Sequence, residues 1–501
     1  MHRLFARLGV HRREHVSVAR DFSFSSANSV SLVLLISTGL LLRRYLGPYL
    51  SGVWVGLELL PTYVGTYGHL GTLNAAEREL PFLLGAKREA DFDRLKDTLF
   101  WFTHVVGLVL AAGLVAAAFI RRPHVNAQTF NGMLLYAPIL WAQLAATYYV
   151  VLYRARKRFG ALTLRQGTTN IVKALLLVAG AYVFGLGGVL AVELGGALLL
   201  AAVLHVGLRE RFARVFDVSL LPTLVTDGVP MVAGAVAFET LRGADQFVIL
   251  ATMGATMLGT YSLAQPILSG LFYIPNVLGT VMYPRFQERY GATADPQSLR
   301  RFVELPLYVL AETMLAAIAV LLIVLPPLFT AWFPQYVDGI PSWRVMLVGT
   351  YFLCLTPPAG QLLLTLRKQV RALVIGVPAT LLALGAGYVG AQYGLVGVAV
   401  GVSLAFFAEF VAVNAYAFSH LCGAAEIAGL LARLVGTAAA VFALALAISR
   451  FVPAGPAMVA WFGGWQLLAI GLVVLPLLVR AARRIQAIQA PDSVDNGGVG
   501  H

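Results

Sequence analysis

Three ionisable residues stand where a charge needs a reason to be. Lys173 lies in NIVKALLLVAG, three residues after Asn170; Glu193 lies in VLAVELGGAL; Asp227 lies between Pro222 and Pro230 in LPTLVTDGVPM. An ionisable group inside an apolar stretch long enough to cross a bilayer is costly, so it faces a cavity, a partner or a substrate path. An ammonium is a flexible point charge with three donors, which suits Lys173 to an anionic group that moves. Two other readings of Lys173 stay open: snorkelling to the membrane surface, and a structural pair with Glu193. Two prolines in one helix bend it and free carbonyls. Asp227 is therefore a candidate coupling or gating residue, and Glu239 further along the same segment is a second. Glu58, Asp245, Glu304, Glu312, Glu409 and Arg433 also fall in apolar stretches; Asp245, Glu239 and Glu304 lie near their ends, where a charge costs little.

No catalytic constellation accompanies these residues. The nine histidines are scattered, Cys354 and Cys422 lie in separate apolar segments, and no metal-ligand spacing or phosphate-cradling loop is present in the sequence. No metal, cofactor or disulfide is expected. The segments between apolar runs are short; the longest on the outer side, around Trp332 to Arg344, offers only Asp338 and Arg344. A transporter is expected, not an enzyme, with coupling to protons or sodium left open.

The elements that must position these side chains follow from composition. The chain has 501 residues, 59% hydrophobic and 12% charged, with mean hydropathy +0.78. A soluble domain carries about 25% charged residues. Apolar runs near the ~20 residues that span a bilayer recur from about Ser25 to Leu478. The expected fold is an all-α polytopic membrane protein with about fourteen transmembrane helices, from 24–42 and 50–70 through 218–240 and 245–268 to 458–479. The short alternating strands of a membrane barrel are not seen. Of the 37 Lys and Arg residues, 28 fall on one set of alternating connections and 7 on the other, with Lys173 and Arg433 inside spans. The basic side is the cytoplasmic one, so both termini are expected there. The net charge of +13 then reads as orientation, not as nucleic-acid binding. The polar, basic first 20 residues show no cleavable signal peptide.

A faint internal repeat divides the spans. LGPYLSGVW from Leu46 matches MGATMLGTY from Met253, with Gly47 and Gly52 facing Gly254 and Gly259; Gly71, Thr72 and Arg78 recur as Gly279, Thr280 and Arg285. An even number of spans lies between, so the repeat is parallel. The organisation expected is a cytoplasmic segment 1–23, six-helix bundles at 24–207 and 208–417, two further helices at 418–484 and a disordered cytoplasmic tail at 485–501. The inner connection GTLNAAERELPFLLGAKREADFDRLKD is expected to be broken by Pro81 and Gly85, with a short interfacial helix from Ala86. Arg78, flanked by Glu77 and Glu79, could bind phosphate, lock a gate or simply orient the chain.

The six-plus-six-plus-two pattern, the LLRRYLGPYLSGVW stretch and the GTLNAAERELP loop resemble the multidrug/oligosaccharidyl-lipid/polysaccharide (MOP) exporter superfamily over roughly residues 20–480, in its polysaccharide biosynthesis or O-antigen-type flippase branch. The loop matches that branch's pattern at Gly71, Asn74, Ala75, Arg78, Glu79 and Pro81. The resemblance implies a MATE-like pair of six-helix bundles around a cavity. It also implies movement of undecaprenyl-pyrophosphate-linked saccharide units across the bacterial inner membrane by alternating access. Partners so implied are the lipid-linked oligosaccharide, membrane lipids and a glycosyltransferase, polymerase or chain-length regulator. Lys173 and Arg43–Arg44 fit an anionic head group better than a cationic drug. Multidrug exporters of the superfamily carry acids in spans 1 and 7; here span 1 has Asn28 and Ser29 but no acid after Asp21. Ion-coupled small-solute antiport and peptidoglycan-precursor flipping are the alternatives.

Overall fold

The structure, a computed structural model, describes residues 34, 37–59, 63, 68–293, 295–452, 471 and 474–481. Much of expected spans 1, 2 and 14, and both terminal segments, lie outside the described residues. Among those described, there are helices and short turns and no strand. Seven helices among the described residues are long and apolar enough to cross a membrane, or eight with one bent pair. The all-α polytopic fold expected from the sequence is the one observed. The chain forms two compact units, Met1–Val236 and Ala237–His501.

The first unit contains α1 (37–59), α2 (Thr72–Gly85), α3 (Glu89–Arg121), α4 (Ala127–Ala155), α5 (Phe159–Leu208) and the start of α6 (Leu221–Thr252). α4 starts where the Asn126 side chain accepts from the Thr129 amide at 2.9 Å, a side-chain cap on an orphan donor. α5 has 50 residues. A straight helix of that length would run about 75 Å, more than twice the ~30 Å hydrocarbon core. Gly185, at φ 57° and ψ −137°, breaks it. A Cβ on Gly188 would come within 2.1 Å of the Gly180 carbonyl oxygen, so the two arms fold back and touch backbone to backbone. The expected spans 162–181 and 184–207 are these arms.

The second unit repeats the device. It holds the rest of α6, then α7 (Gly254–Ser262), α8 (Gln265–Thr293), α9 (Arg300–Trp332), α10 (Ile340–Cys354), α11 (Pro357–Thr365), α12 (Gln369–Gly390), α13 (Gly394–Phe418), α14 (Ala424–Ser449) and α15 (474–481). α12 and α13 turn back on each other at Gly394, φ 75°, and a Cβ on Gly397 would lie 2.0 Å from the Gly390 carbonyl oxygen. Left-handed backbone also recurs at Gly47 and Gly254, φ 71° and 82°, the pair matched in the sequence repeat. The Gly71–Gly279 match does not extend to geometry: Gly71 caps α2 at φ 77°, whereas Gly279 lies inside α8.

Two expectations change. The inner connection is not broken at Pro81. α2 runs through it to Gly85, and α3 continues from Glu89 into span 3 without a separate interfacial helix. One missing amide donor is tolerated where neighbouring helices cover the backbone, and the reversal uses Lys87 at φ 58° instead. The loop expected between 240 and 245 is helical: α6 continues to Thr252, and the break comes at Gly254, so Arg242 is a helix residue. α6 is bent between Val229 and Val232, around Pro230.

Candidate functional site

A cavity of ≈ 810 Å³ opens among α1, α2, α4 and both arms of α5, all within the first unit. That volume lies within the ~300–1,000 Å³ usual for ligand sites. Its wall is polar for a membrane bundle. Asn74, Gln143, Gln166 and Asn170 present amides, Thr147 and Thr169 hydroxyls, and Tyr136 a phenol. Each of these residues occupies one stripe of its helix: Gln143, Thr147, Val150 and Arg154 follow the 3–4 spacing on α4, and Gln166, Thr169, Asn170 and Lys173 follow it on α5.

Lys173 and Glu193 project into the cavity from opposite arms of the α5 hairpin and meet at 2.5 Å. The Gly185 turn is what brings residues twenty apart to the same level. Gly196 makes room for the lysine: a Cβ there would lie 3.1 Å from Lys173 Cδ. Glu193 is buried and Lys173 a quarter exposed. Glu58 of α1 joins them on the wall, within electrostatic reach of Glu193, Arg43 and Lys173. The lining thus carries three carboxyl groups, Glu58, Glu77 and Glu193, with Lys173, Arg154 and His69, among uncharged donors and acceptors. On the same wall, Arg154 Nη1 donates to Glu77 Oε1 at 2.6 Å, which ties α4 to α2.

The other candidates fall elsewhere. Arg43 is buried, donates to the Gly39 carbonyl at 2.8 Å and lies over the Trp54 ring. Arg44 is exposed, and neither arginine lines the cavity. Arg78 does not line it and donates to Asp227 at 2.5 Å. Beside that pair, Gly71 and Gly228 touch backbone to backbone; a Cβ on either would lie within 2.4 Å of the other's carbonyl. Arg78, Asp227 and the two glycines therefore form one contact between α2 and the start of α6. Glu239, in the second unit, pairs with Arg242 at 3.1 Å on its own helix. Glu58, Glu77, Arg154 and Gln143 complete the cavity; only Glu58 carried a signal in the sequence, as an acid in an apolar run. Among the described residues no cluster of His, Cys, Asp and Glu could hold a metal ion.

The family model described as polysaccharide biosynthesis protein matches residues 83–334. No curated protein matches. Among solved structures the chain is similar to the lipid II flippase MurJ in its inward closed conformation, at 12% identity and TM-score 0.72, covering 93% of this chain and 100% of that one. It is also similar to an inward-facing multidrug resistance MATE family transporter of the MOP superfamily, at 14% identity and TM-score 0.65, covering 80% and 95%. A third, a MOP superfamily transporter from Pyrococcus furiosus described by the reverse polarity of its binding pocket, aligns at 14% identity and TM-score 0.54, covering 80% and 96%. At these identities the likeness is one of fold.

Proposed function

The chain belongs to the polysaccharide biosynthesis protein family, within the MOP superfamily, and from that premise we propose that it flips a lipid-linked oligosaccharide across the membrane. The observation that carries this reading is the amide- and hydroxyl-lined cavity of ≈ 810 Å³ inside an apolar bundle. Sugar hydroxyls and phosphates lose their water partners in hydrocarbon at a cost of several kcal/mol each. A wall of uncharged donors and acceptors replaces that water, while the prenyl tail stays in lipid. Lys173 is shared with Glu193. An undecaprenyl pyrophosphate would therefore compete with Glu193 for the ammonium, binding weakly enough to leave on the far side. The bilayer is the bacterial inner membrane, with both termini cytoplasmic, and a glycosyltransferase, polymerase or chain-length regulator supplies or consumes the saccharide.

Proteoliposomes holding the purified protein and defined undecaprenyl-pyrophosphate-linked oligosaccharides test the function. Outer-leaflet appearance of the saccharide, above protein-free vesicles, is the expected result. No flipping with any saccharide, alongside efflux of a cationic drug driven by a proton or sodium gradient, would replace the flippase with an antiporter. Orientation is tested separately: a cysteine placed at Ala90 stays unlabelled by an impermeant reagent in intact cells.

A further inference from the structure

In the second unit, a groove runs along one stripe of α9. At the start of α9 an opening of ≈ 460 Å³ is lined by Gln297, Arg300, Arg301, Glu304 and Tyr308. Tyr308 also borders a second opening of ≈ 410 Å³, where α9 contributes Glu312, α10 Tyr351, α14 Arg433 and α15 Arg480. The sequence spacing 301, 304, 308, 312 keeps these residues on one face of α9, and Gln297 lies in the short turn that leads into it.

Arg300 fixes the level of the helices. It donates to Glu304 at 3.0 Å and pairs with Glu426 in the first turn of α14. Arg433 sits seven residues further along α14, about 10 Å deeper at 1.5 Å per residue. Glu312 sits twelve residues beyond Arg300, about 18 Å deeper. The groove thus leads from helix ends that carry solvated charge to a depth within hydrocarbon.

Arg433 and Arg480 form no ion pair or hydrogen bond among the described residues, and both guanidinium-bearing side chains are exposed. The chain from Ile427 to Pro491 contains no Asp or Glu, so no neighbouring stretch of α14 or α15 supplies a carboxylate. Glu312 is the one acid in the inner opening, against two arginines. An arginine held in an apolar segment without a counterion is costly and marks a site where an anion belongs. Guanidinium groups offer planar pairs of donors that match phosphate oxygens, and Tyr308 and Tyr351 add hydroxyls.

We propose that this α9–α14–α15 groove binds the phosphate of a membrane lipid, with Arg480 and Arg433 as successive anchors for the head group while its acyl or prenyl chain lies against the apolar helix faces. The lipid is either an anionic phospholipid or the pyrophosphate carrier of the transported saccharide; only the second identity rests on the proposed function.

The test is lipid titration of the full chain in neutral detergent, read as the shift in melting temperature and as bound lipid by native mass spectrometry. The probes are dioleoylphosphatidylglycerol, undecaprenyl pyrophosphate and, as the uncharged reference, dioleoylphosphatidylcholine. Arg433→Gln and Arg480→Gln are each expected to weaken binding of the anionic probe on the order of tenfold, the loss of one charge-assisted hydrogen bond. Arg433→Lys should recover part of it. Preference for phosphatidylglycerol alone assigns a resident phospholipid, and preference for the pyrophosphate assigns a docking site for the carrier; both support the site. Equal binding of all three probes, or wild-type binding by both Gln variants, overturns it. A fall in lipid-free melting temperature in Arg433→Gln, restored by adding Glu312→Gln with lipid binding unchanged, also overturns it, because it makes Arg433 an internal counterion. Flipping is scored separately, so an inactive flippase that still binds the lipid leaves this site standing and removes only the transport reading.

Discussion

The α5 hairpin and the α12–α13 hairpin are the same piece of backbone with different contents. Each is preceded by a left-handed residue, Lys157 or Arg367, whose neighbours close the preceding helix with the same hydrogen bonds: Arg158 N–H to Tyr153 O at 2.9 Å, Lys368 N–H to Leu363 O at 2.7 Å. Each reverses at a left-handed glycine, Gly185 or Gly394, and each packs glycine against carbonyl, Gly188 on Gly180 and Gly397 on Gly390. Aligning Gly180 with Gly390 puts Ala383 at the place of Lys173, and aligning Gly188 with Gly397 puts Val402 at the place of Glu193; both replacements are fully buried. One hairpin walls a polar cavity, and the other presents an apolar groove lined by residues such as Leu381, Val389 and Leu404. Close packing at the turns is common to both hairpins, and the cavity chemistry belongs to one, so the turns carry the fold and the divergent mid-arm positions carry the site.

The largest effect should come from breaking what the hairpins share. Gly188→Val and Gly397→Val each drive a side chain into a backbone carbonyl that cannot rotate away. We expect about 3 kcal/mol lost in each, seen as loss of monodisperse protein in detergent chromatography. Normal recovery of either variant would show that the two turns are not equivalent. The next effect separates the hairpins. Lys173→Gln leaves buried Glu193 without its partner, an expected loss of about 1.5–3 kcal/mol, and adding Glu193→Gln should restore most of the folded protein. Flipping should stay low in the double variant if Lys173 meets the head group, and return to normal if the pair is only structural. In the other hairpin, Ala383→Lys should be destabilising alone and partly rescued by Val402→Glu; no rescue would mean that the arms differ in register.

These comparisons also mark what the sequence discloses. Apolar runs, the two reversals and the Gly47–Gly254 match could be read directly, because each is a local property of chain or composition. The 241–244 loop was misplaced because Gly243 and Arg242 resemble a connection, while the φ angle that truly breaks the helix belongs to Gly254. Lys173 and Glu193 announced themselves as charges in apolar runs. Gln143, Arg154 and Glu77 did not, since nothing in their own helices says that they share a wall. Arg78 and Asp227 could each be singled out, but their contact joins residues 149 apart and leaves no mark in either segment.

That contact gives the third prediction. Arg78 and Asp227 are half exposed, so the ion pair contributes only about 0.2–1 kcal/mol. Arg78→Ala and Asp227→Asn should therefore leave the melting temperature within a degree or two while lowering flipping several-fold, because the pair and the Gly71–Gly228 contact hold α2 to α6. Charge reversal in both, Arg78→Asp with Asp227→Arg, should recover transport. Wild-type flipping in both single variants, with and without a sodium gradient and across pH, would remove both the gating and the coupling roles.

The smallest expected effect distinguishes the connections that follow the two hairpins. After α5, residues 209–217 are tied back to α3: Lys96 Nζ donates to the Arg211 carbonyl at 2.9 Å, and Trp101 donates to the Ala213 carbonyl at 3.0 Å. Asp217 ends this connection, accepting from the Ser219 hydroxyl at 2.6 Å and its amide at 3.0 Å and pairing with Arg94. After α13, the connection SHLCG contains no carboxylate. The Ser219 hydrogen bonds, with Arg94 adding to them, hold the Asp217 carboxyl below the usual carboxylate range. A pKa depressed in the folded state means that the carboxylate stabilises the fold above its unfolded value of about 3.9, and that this contribution fades as pH falls through the folded value. Asp217→Asn should therefore melt slightly lower than wild type at pH 7, with the two curves converging below about pH 4. Proteolysis at Arg209, Arg211 and Arg214 is the sharper readout, since a loosened connection exposes those bonds first. Cleavage there should rise in Asp217→Asn at pH 7, while cleavage after Arg367, Lys368 and Arg371 stays unchanged. Equal cleavage of variant and wild type at 209–214 would mean that the α3 contacts alone hold the connection, and Asp217 would lose its role as its clasp.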